Sequence, residues 1–133
     1  MNFILNQKLA EDSKFILDLE LCQLRLIDNV DYPWLILVPR LNNIVELTDL
    51  SDAEYLQLNK EIMLVCMFLK AYLQPDKLNI ANIGNVVSQM HVHIIARYKD
   101  DKTFPKTVWG HEFNRYQHDN EADFINLIKK HLK

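Results

Sequence analysis

The chain has 133 residues, a length suited to one domain built on one hydrophobic core. Leu, Ile, Val and Phe occupy 46 positions, enough apolar side chain to fold, while 15 Lys plus Arg against 18 Asp plus Glu leave a net charge of −3 and no basic excess to draw it onto a nucleic-acid backbone. With only two glycines, Gly84 and Gly110, both the G-x-G-x-x-G fingerprint and the G-x-x-x-x-G-K-[ST] loop are excluded, so any phosphate must be held by other means.

The N-terminal stretch Met1–Phe15 has too short an apolar run for a signal peptide, and no later stretch approaches the roughly 20 apolar residues of a membrane span. Cys22 and Cys66 sit among apolar neighbours without C-x-x-C spacing. They read as two buried thiols in a reducing compartment, and the expected location is cytoplasmic. The segment Phe15–Pro39 reads as two strands: along the first, Phe15, Leu17, Leu19 and Leu21 alternate with polar residues and Leu24–Ile27 leads to a turn that Pro33 closes. Trp34–Val38 is a continuous apolar run, suited to a strand buried on both faces and paired with its predecessor.

Ser51-Asp52-Ala53-Glu54 is a capping box, flanked by Leu50 and Tyr55 as a hydrophobic staple, and predicts a helix from Asp52 to about Leu73. Leu58, Ile62, Val65, Leu69 and Tyr72 would form its buried face, with Met63, Met67 and Phe68 as core or dimer contacts, and Pro75 ends the run. Lys77–Ile83 and Val86–Arg97 read as an antiparallel pair joined by a turn at Gly84-Asn85. A loop of mixed charge follows. Asn120 is the expected N-cap of a last helix carrying Phe124, Leu127, Ile128 and Leu132 on one face, with Lys129 and Lys130 at its C-terminal dipole.

The chemistry concentrates at Gln89-Met90-His91-Val92-His93. Period two puts Gln89, His91 and His93 on one face of a strand and Met90, Val92 and Ile94 on the other. Imidazoles buried without partners cost about 1–3 kcal/mol each, so a polar group should face them.

The string Gln89-Met-His91-Val-His93-Ile-Ile95 resembles the histidine triad (HIT) motif, His-φ-His-φ-His-φ-φ with φ apolar, carrying Gln in place of the first His. Trp34-Leu-Ile-Leu-Val-Pro39-Arg40 and the capped helix after it are similar to the same family, so the resemblance covers about residues 20 to 110. It implies one α+β domain spanning residues 1–133, with an antiparallel sheet of about five strands, a long helix packed on it and a C-terminal helix. The implied activity is hydrolysis or nucleotidyl transfer at the α-phosphate of a nucleoside phosphate, a dinucleoside polyphosphate or a phosphoramidate, as in the bacterial members. It needs no cofactor and no metal. By motif position His91 is the nucleophile that forms a covalent nucleotidyl-histidine, and its second nitrogen donates to the backbone carbonyl of Gln89, which survives the exchange of His for Gln. His93 would donate to a phosphate oxygen. Gln89 itself neither carries charge nor shuttles a proton.

The same resemblance implies nucleotide contacts from Asp28 or Asn29 to the ribose, and from Asn79, Asn82 and Asn85 near the phosphate, Asn85 matching best because it follows Gly84. An Asn beside Gly is also ordinary turn chemistry. Trp109 either covers the base or leaving group or simply packs its loop. Where the family often has a His, this chain has Trp34, so that contact is expected to be missing. His111, His118 and His131 read as surface residues. The expected partners are a nucleotide, purine by preference, and a second copy of the chain in a homodimer, with no membrane and no nucleic acid. Two rival readings follow from the same residues: a nucleotide sensor without turnover, and a zinc protein using His91 and His93 with His111 or His118.

Overall fold

In the computed structural model, which describes residues 2–132, the chain enters as an extended strap, Asn2 to Asn6, followed by a short helix α1 (Gln7–Asp12). The Asn6 side chain caps this helix by accepting from the amides of Lys8 and Leu9. Three strands then run as a meander, β1 (Ser13–Asp18), β2 (Cys22–Ile27) and β3 (Trp34–Pro39). The long helix α2 (Asp52–Leu73) crosses over to the outer strand β4 (Lys77–Asn82), and β5 (Val92–Arg97) returns between β4 and β3 before the closing helix α3 (Ala122–His131). The fold is α+β, and its five strands lie in the order β1-β2-β3-β5-β4, every pair antiparallel. None of the described helices is long and apolar enough to cross a membrane.

Strand alternation splits the core in two. Leu24, Leu26, Leu35, Leu37, Val92 and Ile94 face α2 and α3, where they meet Leu58, Val65, Phe68, Leu69 and Ile128. Trp34, Ile36, Val38 and Ile95 face the other way and are covered by Leu9, Val87 and Val108, with Phe3 and Leu5 of the strap packed alongside. The continuous apolar run in β3 is therefore buried on both faces, as its composition requires. Helix α2 starts as its capping box prescribes: the Ser51 hydroxyl accepts from the Glu54 amide at 3.2 Å, and the Glu54 carboxylate accepts from the Ser51 amide at 2.8 Å. Phe68 is core, whereas Met63 and Met67 are exposed. Both cysteines are free and buried. Burial pushes both thiols up, at Cys22 with help from the Glu61 carboxylate, so neither supplies a thiolate nucleophile.

Four local expectations change. In β1 the fully buried side chain is Ile16 rather than Phe15, because a bulge between Phe15 and Leu17 shifts the alternation. The strand expected to run on to Ile27 divides at Asp18 into the antiparallel pair β1 and β2, since Leu19–Leu21 turn back and the buried Glu61 carboxylate accepts from the amides of Leu21 and Cys22, both at 2.8 Å. The connection from β4 to β5 is a long loop, and β5 begins at Val92, not Val86. Finally, α3 starts at Ala122 with Glu121 at the N-cap position, while Asn120 lies in the turn before it, its amide donating to the Gln117 carbonyl.

Candidate active site

Strand β5 pairs with β3 through Ile36↔His93 and Trp34↔Ile95, and with β4 through Ala81↔His93. Directly opposed residues share a face, so Trp34, Ile36 and His93 lie together on the side away from α2. His91, one residue before β5, keeps the same alternation, since Met90 and Val92 join the helix-side core. The two imidazole centroids stand 4.7 Å apart, nearly perpendicular.

Each ring has one nitrogen engaged. The His91 Nδ1 lies 2.8 Å from the Gln89 carbonyl oxygen. A carbonyl only accepts, so Nδ1 carries the proton and Nε2 keeps its lone pair. At His93 the polarity is reversed: the Trp34 indole Nε1–H donates to Nδ1 at 2.9 Å. An indole only donates, so the neutral His93 carries its proton on Nε2. One ring thus presents a lone pair and its neighbour an N–H. Trp34, where the family often has a His, thereby fixes the proton of His93. Burial pushes His91 below the usual imidazole range, with the Gln89 carbonyl opposing, and pushes His93 down to about 3 with His91 adding to the effect. Both rings are neutral at pH 7.

The imidazoles open into a cavity of about 760 Å³, within the range of small-molecule sites. Its walls are mostly apolar, among them Leu9, Ile27, Trp34, Ile83, Val86 and Phe113, with Asn85 and Thr107 as polar lining. Gly84 lines it too and adopts φ +69°, where a side chain is disfavoured. Trp109 stands edge-on to His93 at 5.0 Å and to Trp34 at 5.6 Å, so it is both a cavity wall and a packing partner of the rings.

Of the anticipated nucleotide contacts, the geometry brings Asn85 and Trp109 to this cavity; Asp28, Asn29, Asn79 and Asn82 are not among its lining residues. The Asp28 carboxylate accepts from Arg115 and from the Tyr116 amide. The Asn29 side chain accepts from the Asp31 amide, a local turn. Asn79 accepts from the buried Arg97 at 2.9 Å. Asn82 opposes Val92 and so sits on the α2 face of the sheet. The Gln89 side chain pairs with the N-terminal strap: Oε1 accepts from the Asn6 amide and Nε2 donates to the Ile4 carbonyl, both at 2.8 Å. The sequence pattern gave no sign of Lys8 and Asp12, which line the cavity from α1. No periodic signal marks a six-residue helix, and its approach to the site depends on contacts more than 80 positions away. Among the described residues no group of three or more His, Cys, Asp or Glu side chains is placed to hold a metal ion. His111 and His118 are exposed.

The profile of the HIT domain matches residues 8–100. The chain is similar to a histidine triad protein of Bradyrhizobium japonicum, with 39% identity over 100% of both chains and a TM-score of 0.96. It is similar also to a histidine triad (HIT) protein of Sinorhizobium meliloti 1021, with 37% identity over 98% of this chain and 97% of that one and a TM-score of 0.93. A histidine triad protein from Marinobacter aquaeolei VT8 shares 31% identity over 99% of this chain and 97% of the other, with a TM-score of 0.95. No curated protein matches the sequence.

Proposed function

The chain belongs to the HIT domain family, and from this premise we propose that it is a nucleotide hydrolase or nucleotidyl transferase working through His91 at an α-phosphate. The observation that carries the reading is the opposite proton placement on two adjacent imidazoles, a lone pair at His91 Nε2 and an N–H at His93 Nε2. In this scheme His91 Nε2 attacks phosphorus, a P–N bond forms, and the bond from phosphorus to the leaving group breaks. The leaving group departs with the bonding pair and takes a proton from solvent water. His93 Nε2–H donates to a non-bridging oxygen and stabilises the charge that develops there. Water then attacks phosphorus and gives up a proton to solvent, the P–N bond breaks with its pair returning to His91, and the nucleoside monophosphate is released. An acceptor nucleotide or phosphate in place of water gives transfer.

The apolar cavity walls suit a nucleobase, purine by preference, and Asn85 and Trp109 are the proposed nucleotide contacts. Gln89 serves His91 through its backbone carbonyl. The substrate classes are a dinucleoside polyphosphate and a nucleoside phosphoramidate, and the working unit is a homodimer. Rapid acid quench during turnover of a radiolabelled adenosine substrate should trap nucleotide on the wild-type protein and none on His91→Ala, with AMP release lost in the variant and circular dichroism unchanged. Equal turnover by His91→Ala would sink the assignment. Tight nucleotide binding with no turnover by wild type would favour the sensor instead.

A further inference from the structure

The exchange of His for Gln at position 89 couples the nucleophile to the N-terminus of the chain. Its backbone carbonyl fixes the His91 proton, while its side-chain amide pairs with the strap as a neighbouring strand would, accepting from the Asn6 amide and donating to the Ile4 carbonyl. A primary amide presents donor and acceptor side by side on one edge; a carboxylate lacks the donor, and a neutral imidazole carries its donor and acceptor on ring nitrogens that point apart. Asn42 repeats the pattern further out, accepting from the Ile4 amide at 3.1 Å and donating to the Asn2 carbonyl at 2.9 Å. Phe3 and Leu5 press the strap's inner side onto the sheet, while Ile4 points outward. Asn6 is the last residue of the strap and the N-cap of α1, so the clamp sets where α1 starts. That helix carries Leu9, buried in the site-side core, and two charged residues of the cavity wall, Lys8 and Asp12.

Among the described residues that line the cavity, Lys8 is the one Lys or Arg. Its ammonium rests on Asp12 at 3.0 Å, and Asp12 is also held by Arg115 at 2.7 Å. Lys8 can therefore swing to an anion without leaving Asp12 unpaired. The two histidines are neutral, so the described lining offers no other cation to a second phosphate.

We propose that Gln89 is a positioning residue that clamps the strap so that Lys8 reaches the catalytic cavity, where it binds the phosphates of an anionic leaving group and selects polyphosphate over phosphoramidate substrates. This inference rests on the catalytic reading of the same cavity. The test compares Lys8→Met, Gln89→Ala and Gln89→His on diadenosine tetraphosphate and on an adenosine phosphoramidate with a neutral amine leaving group. Lys8→Met should raise KM for the tetraphosphate about tenfold and lower its kcat/KM relative to the phosphoramidate by a similar factor, the scale of one charge-assisted hydrogen bond to phosphate. Gln89→Ala keeps the carbonyl that serves His91, so it should shift the same ratio in the same direction, with KM rising more than kcat falls, and should speed hydrogen exchange at the Asn6 amide. Gln89→His should do likewise. An unchanged substrate ratio in Lys8→Met overturns the role of Lys8. A higher kcat in Gln89→His, or a Gln89→Ala that lowers kcat alone with Asn6 still protected, overturns the clamp. Should wild type turn over neither substrate, the catalytic reading fails, and calorimetry with ADP and AMP decides this one separately: Lys8→Met must weaken ADP more than AMP, and an equal effect refutes it.

Discussion

Trp34 decides which nitrogen of His93 carries the proton. An indole N–H can only donate, so a neutral His93 that accepts at Nδ1 must hold its proton at Nε2. Replacing Trp34 by Phe keeps most of the ring that packs on Tyr32, Trp109 and Phe113 while deleting the donor. Nδ1 is then left without its partner in a buried position, and His93 divides between its two tautomers. Trp34→Phe should lower kcat by about tenfold, the scale of one hydrogen bond to an ordered polar group, and cost about 1–3 kcal/mol of stability with the fold retained. Imidazole nitrogen chemical shifts check the cause directly: the protonated nitrogen of His93 should be Nε2 in wild type and mixed in the variant. A variant with full kcat and an unchanged tautomer would show the indole to be packing alone.

Among the elements, the segment after β5 is secured by charge rather than by secondary structure. Arg97, at the end of β5, is buried; its Nε donates to Asp101 at 2.8 Å and its guanidinium lies over the rings of Tyr32 and Phe104. Burial alone would push the Asp101 carboxyl up, but the Arg97 guanidinium and the amides of Phe104, Tyr98 and Thr103 outweigh it and hold it down at about 2, against an ordinary 3.8. A depressed acid stabilises the folded state above its unfolded value and loses that contribution as pH falls through its folded one. The stabilisation, about 2 kcal/mol, is complete above about pH 5 and disappears as the pH falls through about 2. Asp101→Asn should therefore be less stable at pH 7 by at least that amount, because Arg97 stays buried without its counter-ion, and the gap to wild type should narrow at about pH 2. Urea unfolding at the two pH values measures it; a constant gap would contradict the linkage. The loop from this knot leads to Val108 and Trp109, the latter edge-on to His93, so activity should fall along with stability.

The elements also show what sequence alone can reveal. The start of α2 was legible because its capping box is local: Ser51 and Glu54 need only each other. The alternation that set His91 and His93 apart from Met90 and Val92 was legible for the same reason. The bonds that complete the site are not local. Trp34 and His93 are 59 positions apart, and Asn6 and Gln89 are 83 apart. An Asn placed near the site by spacing alone had no way to reveal its partner, as Asn79 with Arg97 and Asn82 on the helix face both demonstrate.

At the scale of the whole molecule, the α2 side of β4 is left uncovered. Strand β4 is an edge of the sheet, with Ile80 half exposed on the same face as α2. Along the outer surface of α2, Leu56, Met63 and Met67 are 62%, 60% and 62% exposed, a row of large apolar side chains at helical spacing. A second copy covers this row with one two-fold operation, since an isologous contact buries the same patch on each partner. We propose this face as the homodimer interface. Light scattering behind gel filtration should then give about twice the 15.8 kDa of the chain. The double variant Met63→Glu, Met67→Glu should run as a monomer with the helical signal retained, because both side chains point to solvent in the isolated chain and their replacement leaves its core untouched. A monomeric wild type would remove the proposal, and so would a charged variant that stays dimeric, by placing the contact elsewhere.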